Sequence, residues 1–167
     1  MSNAPAAPKS SASRLRRNEE KWSKVMMDAG WTAFPSVILE RQADLNLDPT
    51  DVNIIFHLAS FWWNSTNVPF PSKARLAACL RVDVSTIRRH IAKMEGMGYI
   101  RRQARFHDNH NGQDTNAYHL DGLIKAATPF AVEKNQEKAK RAAARAARRA
   151  SMKSKLKIVG GKNANVP

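Results

Sequence analysis

The stretch SKARLAACLRVDVSTIRRHIAKMEG, residues 72–96, decides how the rest of the chain is read. Ser72 is a good helix N-cap, and Leu76, Ala77 and Leu80 give the short helix after it a buried stripe while Lys73 and Arg75 point elsewhere. Arg81-Val82-Asp83 interrupts the pattern. Asp83 then stands where its carboxylate can accept from the N–H of Ser85 or Thr86 and start a second helix. In that helix Ile87, Ile91 and Met94 share one face, and Ser85, Arg88, Arg89 and Ala92 share another. The first face is apolar enough for a core; the second is basic and small. Two short helices joined by a tight turn, the second with an exposed polar N-terminal half, form a helix-turn-helix. Small side chains let such a helix enter the major groove of DNA, where arginines reach guanine edges bidentately or clamp phosphates.

Working outward, the period changes from helical to extended after Gly96-Met97-Gly98. Residues 99–106 and 115–120 read as strands around the polar loop HDNHNGQD, 107–114, whose Asn-Gly pair marks a hairpin. The first strand carries Arg101, Arg102 and Arg105, the second places Tyr118 and Leu120 on one side, and Asn109 and Asn111 lie at the tip. A helix-turn-helix at 72–96 followed by a hairpin at 99–120 is a winged helix, so the fold class is mainly α with a small β-hairpin. On the other side, Asp48 caps a helix whose first residue is Pro49, with Ile54, Ile55, Leu58, Phe61 and Trp62 at helical spacing. The run NSTNVPFP, 64–71, ends it with two prolines. Further upstream, 18–28 is a predicted helix with Trp22, Met26 and Ala29 on one face, stopped by Gly30. Residues 31–34 are an extended candidate closed by Pro35, and 36–45 resume a helical pattern.

These segments carry a resemblance. The run 69–77, then 84–91, Lys93-Met-Glu-Gly-Met-Gly-Tyr-Ile100 and Thr115-Asn-Ala-Tyr-His-Leu-Asp-Gly-Leu123 are similar to the bacterial winged helix-turn-helix domains of plasmid and phage replication initiators and related DNA-binding regulators. The similarity covers about residues 31–132. It implies a domain that binds double-stranded DNA with its second helix, 84–95, in the major groove. Ser85, Thr86, Arg88 and Arg89 stand where that family has its recognition surface. Two positions depart from the pattern. Arg81 replaces a frequent glycine, which in a left-handed conformation costs on the order of 1 kcal/mol, and Asp83 replaces a frequent serine that caps helices equally well.

Charge supports a polyanionic partner. The 167 residues hold 28 Lys plus Arg against 14 Asp plus Glu, a formal +14. Beyond Glu133 there are eleven basic and two acidic residues counted inclusively, so +9 belongs to the tail and +5 to the rest. Three parts are expected: a disordered basic arm at 1–17, a winged-helix domain at 18–132, and an Ala/Arg/Lys-rich tail at 133–167. The tail has too little apolar surface to fold into a core, but Thr128 and Pro129 read as N-cap and first residue of a solvated helix reaching about residue 150. With 43% hydrophobic residues, many of them alanine, and 7% aromatics, the core is small. The length leaves no room for a multidomain enzyme. A single cysteine, Cys79, excludes a disulfide framework or a cysteine-rich zinc site and suggests a reducing compartment. No apolar run of membrane length occurs. The expected location is a bacterial cytoplasm, on nucleoid or plasmid DNA.

Each assignment has a plainer competitor. Arg88 and Arg89 could form a solvated face, as could the hairpin arginines; Lys73, Arg75 and Lys93 are weaker candidates for phosphate contact, with Ser72 beside them. His107, Asp108, His110 and His119 match no zinc spacing and suit a polar wing tip, so no metal or other cofactor is expected. His57 and Cys79 read as packing residues. No nucleophile–base cluster or phosphate-cradling glycine loop is visible, and the chain is read as no enzyme. A sequence-specific transcriptional regulator is favoured over a replication initiator, because initiators usually add a second module. An RNA-binding or nucleoid-coating role leans only on the tail. The basic tail lacks an apolar seam, so any homodimer is expected to use the N-terminal helices, through Trp22, Trp31 or Trp63.

Overall fold

The computed structural model describes residues 11–64, 66–106 and 115–160, with the backbone alone for 11–15 and 153–160. In chain order its elements are α1 (Ser11–Trp22), α2 (Lys24–Asp28), α3 (Ser36–Glu40), α4 (Pro49–Ser60), α5 (Lys73–Leu80), α6 (Val84–Gly96), β1 (Arg101–Gln103), β2 (Ala117–His119) and α7 (Asp121–Gly160). The two strands pair antiparallel, with Arg102 opposite Tyr118. This is a winged helix-turn-helix with added helices at both ends.

Helix α4 begins on a reciprocal cap. The Asp48 carboxylate accepts from the amides of Thr50 (2.9 Å) and Asp51 (3.0 Å), and Asp51 accepts from the Asp48 amide (3.0 Å). Pro49 fills the first position, where a missing N–H is no loss. Ile54, Ile55 and Leu58 are fully buried; Phe61 and Trp62 fall past the last turn and are half-buried. Trp63, pointing the other way, is exposed.

The two helices of the decisive stretch pack on that face. The Ser72 hydroxyl accepts from the Arg75 amide (3.0 Å), Leu76 and Ala77 are buried, and Leu80 is half-buried. Arg81 closes α5 in the left-handed conformation (φ 52, ψ 46), and the Val82 amide turns back to the Ala77 carbonyl (3.1 Å). The departure from glycine therefore occurs at a position where glycine would be unstrained. Helix α6 sends Ile87, Ile91 and Met94 into the core with no exposed surface. The predicted cap at its start does not form as read: Asp83 has cap dihedrals, but its carboxylate makes no capping bond. Cys79 is exposed, so it is not a packing residue, whereas His57 is half-buried.

The hairpin is shorter than predicted, three residues per strand, because only β2 turns side chains into the core: Ala117, Tyr118 and then Leu120 are buried, while all of β1 is exposed. The Tyr118 amide also reaches the Pro69 carbonyl (2.8 Å), fixing the proline-rich turn beside β2. The wing loop with Asn109 and Asn111 lies outside the described residues.

The ends of the chain correct the sequence reading most. Helix α1 already runs from Ser11, inside the predicted disordered arm, and the predicted 18–28 helix is broken at Ser23, whose φ of 72 no helix allows. No strand forms at 31–34. The last helix does not start at Thr128 and Pro129 but at Asp121, with Pro129 inside it. Its first turn is tight against the loop after α6: the Leu123 amide bonds the Tyr99 carbonyl (3.1 Å), and a Cβ on Gly122 would sit 1.7 Å from the Gly98 carbonyl oxygen. Leu123 and Ala127 complete the core, and that burial, invisible to capping rules, extends the helix eight residues toward the wing. Lys134 to Glu40 (2.6 Å) and Arg41 to Glu133 (3.3 Å) are the last ties to the domain. Residues 133–152 are exposed throughout.

Candidate nucleic-acid interface

The outward face of α6 is the one opposite its buried stripe. Ser85, Arg88, Arg89 and Ala92 are all exposed, and Thr86 is half-buried beside them. Among the described residues, neither Arg88 nor Arg89 has a carboxylate within ion-pair distance. Both guanidiniums face outward, where their donors can meet an outside partner.

The other cations predicted to face DNA divide by what they touch. Lys93 points back toward α4, bonded to Asp51 (2.6 Å) and Asp48 (3.1 Å). His90, one helical turn earlier, joins the same group with Nδ1 2.8 Å from Asp51. Asp51 has no exposed surface, and these partners with the Asp48 amide supply the hydrogen bonds that its burial takes from water. Burial works against ionisation of Asp48, but the Asp51 amide, the Lys93 ammonium and the nearby His90 outweigh it and hold its carboxyl at about 2. Those hydrogen bonds to Asp51 and Asp48 in turn raise Lys93 above the ordinary lysine value. The group ties α6 to the start of α4. Asp48, Asp51 and His90 also place three ligand atoms within 4.8 Å of one another, but the ammonium of Lys93 already supplies a cation there. Asp48 was legible as a cap; the reciprocal part of Asp51, and the reach of both carboxylates to residues about 40 positions along the chain, were not.

In the wing, Arg102 makes a two-pronged pair with Glu95 at 2.6 Å, bracing β1 on α6. Arg101 is exposed, 3.9 Å from Asp121. Arg105 lies 4.0 Å over the Phe70 ring, and Arg75 of α5 lies 4.6 Å over Phe61. Lys73 is half-buried. Burial first, then repulsion from Arg102 and Arg88, lowers its pKa. Ser72 uses its hydroxyl as a helix cap. Of the predicted histidines, His119 lies 2.8 Å from Gln103, and His107 and His110 lie outside the described residues, as does Asp108. No helix of the described chain is long and apolar enough to cross a membrane.

Residues 45–100 match the family model of a helix-turn-helix domain, so the unit built on α4, α5 and α6 is a DNA-binding fold. Among solved structures, the N-terminal domain of DnaD from Geobacillus kaustophilus HTA426 is similar at 15% identity and a TM-score of 0.48, covering 74% of this chain and 96% of that one. A "possible transcriptional regulator" from Methanosarcina mazei Go1 is similar at 19% identity and a TM-score of 0.39, covering 64% and 85%. No curated protein sequence matches.

Proposed function

We propose that this chain is a non-catalytic, sequence-specific binder of double-stranded DNA that acts as a transcriptional regulator, with α6 in the major groove. The observation that carries the reading is the contrast on one helix: Lys93 is consumed by the buried Asp51 and the half-buried Asp48, while Arg88 and Arg89, with no carboxylate partner among the described residues, stand exposed on the face away from the core. Ser85, Thr86, Arg88 and Arg89 read bases. Ser72, Lys73, Arg75 and Arg101, with the wing, contact backbone phosphates. Lys93 and Arg102 position the helix and wing rather than touch DNA. The basic part of α7 adds attraction without choice. The N-terminal helices pair two copies, a reading supported by Trp22, Val25 and Met26, which are exposed on α1 and α2 with no buried residue on α2.

Selection of bound duplexes from a random pool tests the reading. A preferred site should emerge, survive competition by bulk DNA, and lose about 10- to 150-fold in affinity on Arg89→Ala, at one base position. An Arg89→Ala protein with undiminished preference would remove α6 from the groove. Chromosomal mapping separates the finer roles: sites at promoters support regulation, and sites confined to a replication origin would move the protein to replication. Sedimentation of the full chain and of Trp22→Ser with Met26→Ser tests the dimer, which the double variant should dissociate.

A further inference from the structure

A pocket of about 340 Å³ opens beside the start of α5, among Phe61, Trp63, Asn67, Phe70, Ser72 and Arg75. Its size falls within the usual range for sites that hold a small planar ligand. Two features set it apart from ordinary surface. Trp63 is 76% exposed and Phe70 45% exposed, which leaves large aromatic surface in water, and among the described residues no ring stacks on Trp63. Each phenylalanine also carries a guanidinium, Arg75 over Phe61 and Arg105 over Phe70, and among the described residues no carboxylate lines the pocket. Aromatic faces interleaved with arginine planes, at positive potential, suit a nucleobase joined to a phosphate: every base has a π-face to stack, and guanidinium both stacks on the base and pairs with the phosphate.

We infer that this pocket, distinct from the base-reading residues of α6 but sharing Ser72 and Arg75 with the phosphate-contacting set, is a stacking site for an unpaired base of single-stranded DNA. It rests on the proposed DNA binding only for the source of that strand. A duplex hides its base faces in the stack, so the pocket engages frayed, flipped or single-stranded segments and ignores a blunt duplex.

The test is a fluorescence titration of the full chain, at moderate salt, with a thymine oligonucleotide of about a dozen residues, an abasic strand of equal length, and a blunt duplex. The thymine strand should quench tryptophan emission and bind more tightly than the abasic strand, which carries the same phosphates without bases. Trp63→Ala should weaken the thymine strand about 5- to 150-fold, Trp63→Phe should keep most of the affinity, and both should bind the blunt duplex within about twofold of the parent. Equal binding of thymine and abasic strands, an unchanged thymine affinity in Trp63→Ala, equal losses on strand and duplex, or a change in oligomeric state without one in strand affinity would each overturn the site. Failure of the duplex reading shows separately, as duplex binding indifferent to Arg88→Ala and Arg89→Ala.

Discussion

Helices α6 and α7 are both basic, and they hold their charge in opposite ways. Helix α6 buries a whole face through Ile87, Ile91 and Met94 and is tied through His90 and Lys93 to the buried Asp51, so Arg88 and Arg89 rise from a fixed base. From Glu133 to Met152, α7 buries nothing, and Lys138, Arg145, Arg148 and Arg149 follow one another along a bare rod. A cation on a fixed base can be matched to one base edge. A cation on a bare helix is matched only to a polyanion. The formal +14 contains both kinds, and burial tells them apart.

The contrast can be broken at its anchors. Gly122→Ala should have the largest effect, at least ~3 kcal/mol, because the new methyl meets a carbonyl oxygen that no rotamer change can move; urea unfolding should show it in the midpoint. Asp51→Ala should cost about 3 kcal/mol, since it strands His90 and Lys93 and opens the α4 cap, and it should also lower duplex affinity by freeing α6. The third variant sharpens the contrast. Neutralising Arg145, Arg148 and Arg149 to Gln should reduce the salt slope of duplex binding by up to about 3, with site preference intact, whereas Arg89→Ala should do the reverse. If the triple variant lost preference, the tail would be reading bases.

Smaller effects follow from the caps and from pH. Asp48 titrates near 2 in the fold, below the 3.8 of a free carboxyl. A lowered folded-state value contributes stability that is complete above pH 4 and is lost as pH falls from about 4 toward 2. Because this carboxylate is partly open to solvent, the loss should be on the order of 1 kcal/mol, and Asp48→Asn should flatten that limb of the stability profile. Ser72→Ala should cost about 1 kcal/mol for its lost bond to the Arg75 amide, while Asp83→Ala, which removes no such bond, should stay within about 0.5 kcal/mol in thermal melts.

The winged helix was legible because each of its parts is local: helical periodicity for Ile87, Ile91 and Met94, a cap at Ser72 and at Asp48, alternation before and after a turn-rich loop. The arginine face at 85–92 followed from the same period. What escaped the sequence depends on distant partners. Lys93, a candidate for phosphate contact because it is a basic residue on the same helix as Arg88 and Arg89, turns toward carboxylates more than 40 residues away. Arg102 was read as a wing cation and is bound to Glu95. The start of α7 escaped for a like reason: Thr128 and Pro129 form a sound local start signal, and the burial of Leu123 and Ala127 overrode it. The aromatic pocket was divided among separate segments, with Trp63 at the end of one helix, Phe70 in a turn and Arg105 near the wing.

Pro129 gives α7 a mechanical character that its length alone does not. The proline offers no N–H to the carbonyl of Lys125, and its ring crowds that carbonyl, while the Thr128 hydroxyl takes the Ile124 carbonyl at 2.7 Å. The weakest rung of the helix thus falls between the last buried residue, Ala127, and the first fully solvated turn. Phe130, Glu133 and Lys134 hold the helix to the domain on the far side of that rung, so the gap in the ladder is splinted from both sides and the solvated rod begins about one turn beyond it.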